Sequence, residues 1–327
     1  MKLPRRQLLH LAAGAAALTA VTKIAKAQTY PSRPITIIVP FAAGGPTDAI
    51  ARIMAERMKA SLGQTVIVEN VTGASGSMGV GRVARAAPDG YTIGIGHWST
   101  HVLNGAIYPL QYDVLKDFEP IALVASNPQL IISKNGVPAK DLRELIAWLK
   151  GNEASQGTAG AGSAAHVAGA YFQKETGTHF QFVPYRGAAP AMQDLLGGQV
   201  DLMFDQAANA LPHVRGGKIR AYAVTAERRL ATAPEIPTVD EAGLPGFYIA
   251  VWHGLWSPKG TPREVVAKLN AAVVEALADP SARQRLGDLG QDLPSRERQT
   301  PEALGTHHKS EIDKWWPIIK AAGIVLN

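Results

Sequence analysis

One local pattern recurs along most of this sequence: a short apolar run, then a loop of small residues, then a helical segment. The residues Ile35–Val39 are all β-branched, which predicts a buried strand. The next loop leads to Thr47, a residue that favours helix starts, and apolar residues then recur at helical spacing until Gly63. The same order returns around a predicted strand at Tyr91–Ile95. This alternation predicts an α/β fold with parallel strands.

Two such series are present, and the chain crosses between them. Pro120–Val124 and Leu130–Ser133 predict two short extended runs on either side of Asn127-Pro128. The apolar run Tyr248–Trp256 predicts a long strand that carries the chain back. We therefore expect two α/β lobes joined by more than one strand. The expected first lobe is 28–128, the second is 129–248, and 249–327 returns to the first with helices at 262–278, 281–289 and 301–321.

The first 27 residues have the composition of an export signal. They contain five basic residues and no acidic one, with Arg5-Arg6 ahead of an apolar run from Leu8 to Val21. That run is shorter than the ~20 residues that span a bilayer. Ala25-Lys26-Ala27 supplies small residues where a signal peptidase reads them, so we expect export and cleavage after Ala27. The Arg-Arg-Gln-Leu-Leu order is compatible with twin-arginine export, and Sec export stays open.

The net charge of the protein depends on that segment. The whole chain has 33 basic and 27 acidic residues, a formal charge of +6. Without the five basic residues of the signal, 28 basic residues face 27 acidic ones, and the charge is +1. A nucleic-acid-binding surface is therefore not supported by charge. The chain has no cysteine, which excludes disulfides, thiolate metal sites, a cysteine nucleophile and a lipoprotein anchor.

Three loops combine small residues with the start of a helix: Ala42–Asp48, Gly73–Ser77 and Gly160–His166. Backbone N–H groups at a helix N-terminus have no partner within the helix, and they attract anions. Helices that follow parallel strands begin at the same edge of the sheet. The three loops together predict an anion-binding cleft.

A dinucleotide-binding fingerprint is only partly present. Gly160-Ala-Gly-Ser-Ala-Ala165 has the right spacing of small residues. However, Gly157–Gly162 is predicted to be a loop with no strand before it. The next predicted strand ends at Tyr185 and Arg186 rather than at an acidic residue. A nucleotide cofactor is therefore not predicted.

Motifs for catalysis and metal binding are also incomplete. Gly73-Ala-Ser-Gly-Ser77 lacks the last glycine of a hydrolase elbow. His97 and His101 share one face if their segment is helical, but Trp98 stands where a zinc protease carries glutamate. We predict no catalytic residue, no metal site and no cofactor.

Three charged residues stand next to predicted strand ends or helix starts. Arg186 follows the predicted strand Phe180–Pro184, where it either pairs with a ligand carboxylate or forms a salt bridge. Asp205 follows the predicted strand Val200–Phe204, where it either orients a ligand group or caps a helix. Asp48 has the same two alternatives at the first helix.

A set of longer segments carries a family resemblance over nearly the whole chain beyond residue 30. In order they are Tyr30–Phe41 (YPSRPITIIVPF), Gly44–Asp48 (GGPTD), Val68–Asn70, Ala86–Thr92 (AAPDGYT), Asp117–Pro120, Gly162–His166 (GSAAH), Val183–Ala191 (VPYRGAAPA), Gly197–Asp201 (GGQVD), Pro237–Val239 and Pro258–Pro262 (PKGTP). These segments resemble the Bug family, the solute-binding proteins of tripartite tricarboxylate transporters. The resemblance implies a type II periplasmic-binding fold, in which two α/β lobes joined by crossing hinge strands close over a carboxylate.

The resemblance also implies a binding site. In that family the loops Phe41–Asp48 and Ala161–His166 hold one carboxylate through backbone groups and bridging waters. Ser75–Ser77, His97–Thr100, Arg186 and Asp205 would vary with the far end of the ligand. The implied ligand-binding residues are Phe41, Ala42, Ala43, Gly44, Gly45, Thr47, Asp48, Ser75, Ser77, His97, Trp98, Ser99, Thr100, Ala161, Gly162, Ser163, His166, Arg186 and Asp205.

Two departures from the family pattern concern this site. Family members often carry proline where Ala42 or Ala43 stands, which bears on the stiffness of the loop. They commonly carry small polar residues near His97-Trp98, so this sequence favours an aromatic or longer carboxylate ligand. Dicarboxylates, aromatic acids and amino acids all stay open as ligands.

The expected protein is a monomeric periplasmic carrier that delivers a small organic carboxylate to the membrane permease subunits of the transporter. A periplasmic sensor that presents its closed form to a receptor kinase is an alternative, because it uses the same fold. A serine hydrolase that uses Ser75 or Ser163 with a histidine is a weaker alternative.

Overall fold

The computed structural model describes residues 30–321. The export signal predicted for residues 1–27 and its cleavage after Ala27 lie outside the described residues. From Arg33 onward the described residues form one compact unit, and every helix and strand named below belongs to it. Within the described range, no helix is both long and apolar enough to cross a bilayer.

Strands and helices alternate through the described range, as the sequence pattern predicts. The strands are β1 (Ile35–Val39), β2 (Val66–Asn70), β3 (Thr92–His97), β4 (Phe118–Lys134), β5 (Ser155–Thr158), β6 (Gln181–Pro184), β7 (Leu202–Gln206), β8 (Ile219–Val224) and β9 (Ala250–Pro258). The α-helices are α1 (Pro46–Leu62), α2 (Ser77–Ala84), α3 (Asn104–Ile107), α4 (Leu142–Gly151), α5 (Ala164–Thr176), α6 (Ala188–Leu196), α7 (Ala207–Arg215), α8 (Arg263–Ala278), α9 (Pro280–Asp288) and α10 (Pro301–Ala321).

The strands form two regions of sheet that share β4. In the first sheet, β2, β1 and β3 run parallel, and β9 joins β3 in the antiparallel direction. In the second sheet, β6, β5 and β7 run parallel, and the second half of β4 lies antiparallel between β7 and β8. The first half of β4 pairs with β9 from Phe118 opposite Pro258 to Pro128 opposite Ala250. One strand therefore runs from the first sheet into the second.

The prediction of two separate runs at Pro120–Val124 and Leu130–Ser133 is wrong, because they belong to the single 17-residue strand β4. The sequence Asn127-Pro128 suggested a break, since proline has no N–H to give to a ladder. In the structure Pro128 is the last residue of β4 that pairs with β9, and β4 then pairs with β7 from Gln129 and with β8 from Leu130. A missing N–H is tolerated best at the end of a ladder.

The prediction of a loop at Gly157–Gly162 is wrong at its start, because Gly157 and Thr158 belong to strand β5. Its residues, Ser-Gln-Gly-Thr, are polar or small and give no apolar period. They are nonetheless almost fully buried from Gln156 to Thr158, because β6 and β7 flank β5 on both sides. The glycine fingerprint at Gly160–Ala165 therefore does follow a strand, although the next strand still ends without an acidic residue.

The last helix packs its aromatic side chains against the first sheet. Trp315 of α10 meets the ring of Trp98 edge-on at 4.7 Å. His308 of the same helix contacts the main-chain oxygen of His101 through Nε2 at 2.6 Å, and the His101 ring stacks on Trp256 at 3.7 Å. Histidine thus fills part of the apolar interior.

The buried histidines predict the pH dependence of stability. His97, His101, His253 and His308 are each at most 4% exposed, and burial lowers their pKa values, to about 4 for His308. Because the unfolded chain then binds protons that the folded chain excludes, the free energy of unfolding should fall as pH drops from 6.5 toward 4. Each histidine contributes up to about 1.4 kcal/mol per pH unit.

Urea unfolding at pH 7.5, 6 and 5 measures this slope. The variant His308→Gln should lower the slope by about one proton, whereas His179→Gln, at an exposed position, is the control. If His308→Gln leaves the slope unchanged, the burial of a neutral His308 does not contribute to the pH dependence of stability.

Candidate functional site

Four helix N-termini converge on one cavity between the two sheets. The cavity is lined by Gly45, Pro46 and Thr47 at the start of α1, by Ser163, Ala164 and Ala165 at the start of α5, by Ala188 of α6, and by Asp205 and Gln206 just before α7. Each of these helices follows the carboxyl end of β1, β5, β6 or β7. Unpaired N–H groups and the positive ends of the helix dipoles therefore point toward the same space.

The first loop is held in place by Asp48. This carboxylate is 3% exposed, and it accepts hydrogen bonds from the Gly44 N–H (2.9 Å), Arg52 Nε (2.9 Å) and Asn70 Nδ2 (3.0 Å). The Asn70 amide also donates to the main-chain oxygen of Phe41 at 2.9 Å. Burial alone would raise the pKa of Asp48, but these hydrogen bonds outweigh it and lower the pKa. Asp48 does not line the cavity and acts by shaping the loop.

His97 forms an uncharged wall of the cavity. Its ring stacks on Phe41 at 4.8 Å with the planes nearly parallel, and it meets His253 edge-on at 5.2 Å. Its Nδ1 accepts the N–H of Ser99 at 3.0 Å, which leaves the ring proton on Nε2. Burial lowers the pKa of His97 to about 3, so the imidazole is neutral at ordinary pH. Thr47, also in the cavity wall, is within 3.2 Å of His253 Nε2.

The second loop, Ala161–His166, is held mainly by hydrogen bonds between its own residues. Ser163 caps α5 by accepting the N–H of His166, and the Nδ1 of His166 accepts the N–H of Gly162 at 2.7 Å. The Tyr108 hydroxyl, from the segment after α3, donates to the main-chain oxygen of Ala161. The Ser163 hydroxyl is therefore already engaged as a helix cap, and His166 Nδ1 is not free to act as its base.

The cavity also contains a buried carboxylate. Asp205 is 4% exposed and accepts hydrogen bonds from the Gln206 N–H (2.8 Å) and from Asn209 Nδ2 (2.5 Å). Burial raises the pKa of Asp205 to about 7, although both hydrogen bonds act in the opposite direction. Among the residues that the structure describes, no lysine or arginine lines this cavity.

Some of the predicted site residues line the cavity, and others lie in the loops around it. Those in the wall are Phe41, Gly45, Thr47, His97, Ser163 and Asp205. Those that belong to the surrounding loops without lining the cavity are Ala42, Ala43, Gly44, Asp48, Ser75, Ser77, Ser99, Thr100, Ala161, Gly162 and His166.

Trp98 and Arg186 lie elsewhere. Trp98 is fully buried against Trp315, because the backbone turns into a π-helical segment, Ser99–Leu103, directly after it and sends the indole into the core. The structure therefore gives no aromatic far end to the cavity through Trp98. Arg186 is exposed and does not line the cavity.

Two cavity residues were not predicted from the sequence: Gln129 of β4 and Gln206 of β7. They stand opposite each other in the antiparallel ladder, and both are nearly buried. Gln206 directly follows Asp205 at a strand end, which was the one available signal. Gln129 had no such signal, since it lies between the two runs predicted at Pro120–Val124 and Leu130–Ser133.

The cavity between two α/β sheets joined by a shared strand is the arrangement of type II periplasmic binding proteins. Residues 50–324 match the family model TctC, the tripartite tricarboxylate transporter family receptor. The periplasmic binding protein BugD is 43% identical, with a TM-score of 0.88 over 91% of this chain and all of BugD. MatC of Rhodopseudomonas palustris, solved with bound malate, is 41% identical, with a TM-score of 0.85 over 89% of this chain and all of MatC.

A second R. palustris protein, Rpa4515, solved with adipate, is 33% identical, with a TM-score of 0.86 over 91% of this chain and all of that protein. The chain belongs to the TctC family of solute-binding receptors of tripartite tricarboxylate transporters, which is the Bug family. The predicted family, fold class and solute-binding role are thereby confirmed.

Asp48 allows a test of how the first loop is built. Replacing it, as in Asp48→Asn, removes the charge from three hydrogen bonds in a buried place, so we expect a loss of roughly 2–3 kcal/mol in the free energy of unfolding. Asp313→Asn is the matched control, because Asp313 also pairs with a cation one helical turn away but is largely exposed. The free energy of unfolding of Asp313→Asn should fall by no more than about 0.5 kcal/mol. Equal losses in urea unfolding would argue against a structural role for Asp48.

Proposed function

We propose that this protein captures a small organic carboxylate in the cavity and delivers it to the membrane permease subunits of a tripartite tricarboxylate-type transporter. The convergence of four helix N-termini on a cavity without lysine or arginine in its described lining carries this proposal. Neutral N–H donors at helix ends stabilise a carboxylate without a counter-charge. The malate in MatC and the adipate in Rpa4515 support the same ligand class.

The proposed cycle is a closure of the two lobes over the ligand. The loops of the two sheets already approach closely: a Cβ on Gly187 would lie 3.2 Å from the backbone nitrogen of Ala42. Gly187 also has φ +152°, a conformation that favours glycine. The Tyr108 hydroxyl bonds across to Ala161. A ligand that touches both loops would favour this closed arrangement over an open one.

The proposed lobes are 28–128 with 249–327, and 129–248. Support comes from β4, which changes partners between Pro128 and Gln129, and from β9, which begins at Ala250. We further propose a monomeric, freely diffusing periplasmic carrier that is released by cleavage after Ala27. We propose no catalytic step. Ser163 accepts the N–H of His166, and His166 Nδ1 accepts the N–H of Gly162, so this nitrogen is not available as a base for Ser163.

Gly45 offers a test of the cavity as the binding site. A Cβ there would lie 3.5 Å from Ala42 O and 3.9 Å from Ala189 N, so Gly45→Ala should keep normal affinity. The larger side chain of Gly45→Leu would fill the space between the first loop and α6. We expect it to weaken carboxylate binding roughly 10- to 100-fold while the protein still folds.

The measurement begins with a thermal-shift screen of mono- and dicarboxylic acids, because a ligand at 100 times its Kd stabilises the folded state by about 2.7 kcal/mol. Calorimetry on the best acid then compares both variants. Equal affinity in Gly45→Leu and the unchanged protein would place binding elsewhere. Turnover of an ester or amide by the unchanged protein would favour an enzyme instead.

Tyr108 offers a test of closure. Tyr108→Phe removes the hydrogen bond to Ala161, so we expect the best acid from the screen to dissociate about 2- to 10-fold faster. Tyr171→Phe, in the second half of α5 and outside the cavity lining, is the control for loss of a tyrosine hydroxyl. Stopped-flow displacement measures the rate, and identical rates in both variants would exclude Tyr108 as a closing contact.

A further inference from the structure

A second and larger space lies along β4 and β9, the strands that join the two proposed lobes. It is an open groove of about 520 Å³, and its floor includes Ser126, Pro128, Ala250 and Trp252. In the antiparallel ladder Ser126 stands opposite Trp252, and Pro128 stands opposite Ala250. Residues that are opposite each other in a ladder, or two positions apart on one strand, point to the same face of the sheet. We call this space the rear groove.

The cavity of the candidate site lies against the other face of the same two strands. Its lining includes Gln129, the residue after Pro128. His253, the residue after Trp252, contacts Thr47 and His97, which both line the cavity. Consecutive residues of a strand point to opposite faces of the sheet. The strands β4 and β9 therefore separate the cavity from the rear groove.

The two walls of the rear groove belong to different proposed lobes. One wall is 225–228, which follows β8 in the second lobe, and the other is the face of α10 that carries His307, Glu311 and Lys314 in the first. Trp252 is bound to the α10 wall, because its Nε1 donates to Glu311 at 3.2 Å. In the described part of the chain, no hydrogen bond or ion pair joins 225–228 to α10. The distance between the walls can therefore change as the lobes rotate.

A rotation about β4 and β9 changes the two spaces in opposite directions. Because these strands lie between them, a movement that brings the walls of the cavity together draws the walls of the rear groove apart. The volumes fit the closed end of that movement, with about 30 Å³ in the cavity and about 520 Å³ in the groove. Opening of the lobes requires the rear groove to narrow, so a group that fills the groove would oppose opening.

We propose that the rear groove controls the equilibrium between the open and closed forms: side chains that fill it favour the closed form and raise the affinity of the cavity without touching the ligand. This inference rests on the proposed function, since it takes closure over a carboxylate as the binding event. Ala226 on the wall and Ala250 on the floor are small, and they leave the groove room to narrow. A carrier needs that room, because it loads and releases its cargo in the open form.

The variant Ala250→Trp tests this inference. Its indole would extend from the floor of the groove beside Trp252, on the face away from the cavity. The probes are malate and adipate, the acids bound in MatC and Rpa4515. We expect the Kd of the acid that binds more tightly to fall about 5- to 10-fold, because a larger fraction of the protein is closed before it binds.

Two further variants make the comparison specific to the rear groove. Ala226→Leu adds bulk to the 225–228 wall and should lower the Kd in the same direction. Ala271→Trp adds the same indole as Ala250→Trp at an exposed position on α8, outside the groove, and should leave the Kd unchanged. Calorimetry measures the Kd of each variant, and circular dichroism checks that each one folds.

Spin labels measure the movement without any added acid. The chain has no cysteine, so Ala231→Cys, three residues beyond the 225–228 wall, and Ser310→Cys on α10 provide one labelled pair at two exposed positions. Double electron–electron resonance gives the distance between the labels. We expect Ala250→Trp to lengthen the mean distance in the absence of acid, and malate or adipate to lengthen it in the otherwise unchanged protein.

The outcomes separate this inference from the proposed function. If an acid binds, but Ala250→Trp and Ala226→Leu fold and leave the Kd unchanged or raise it, the inference is overturned and carboxylate capture stands. A lower Kd without a longer label distance also overturns the inference, because the substitution then acts by another route than closure. If no acid of the thermal-shift screen raises the melting temperature, the proposed function fails, and the label distance in Ala250→Trp alone decides whether the rear groove controls the lobes.

Discussion

The pairing of β4 with β9 is the constraint on which the rest of the structure depends. Two long antiparallel strands stay together from Phe118 opposite Pro258 to Pro128 opposite Ala250, and β4 then continues into a different set of partners. Because one strand serves both sheets, the carboxyl ends of the parallel strands on each side face a common space. The helices that follow those strands point their N-termini into it, so backbone N–H groups from both sheets face the same cavity.

The two buried carboxylates near this space differ in their neighbours. Asp48 lies beside Arg52 and receives enough hydrogen bonds to hold its pKa down, so it works as a fixed part of the first loop. Asp205 receives only neutral donors and has a raised pKa. Asp48 therefore has a cation beside it, whereas Asp205 has no cationic partner among the described residues.

The small residues of the loops serve the approach of the two sheets as much as the approach of a ligand. A Cβ at Gly187 would meet Ala42, and one at Gly160 would lie 3.4 Å from the Cα of Ser75. Larger side chains at these places would keep the lobes apart. The glycine-rich composition that predicts an anion site thus also fits the close approach of these loops.

The sequence alone determined the alternation of strands and helices, the positions of the loops Ala42–Asp48 and Gly160–His166, and the family, because these depend on local patterns of residue type. It placed β1 and α10 correctly but missed β5, whose polar residues are buried only by neighbouring strands. Tertiary structure alone decided that Trp98 belongs to the core and that Gln129 joins Asp205 in the cavity. A side chain's destination depends on which distant strand it faces, and spacing along the chain does not contain that information.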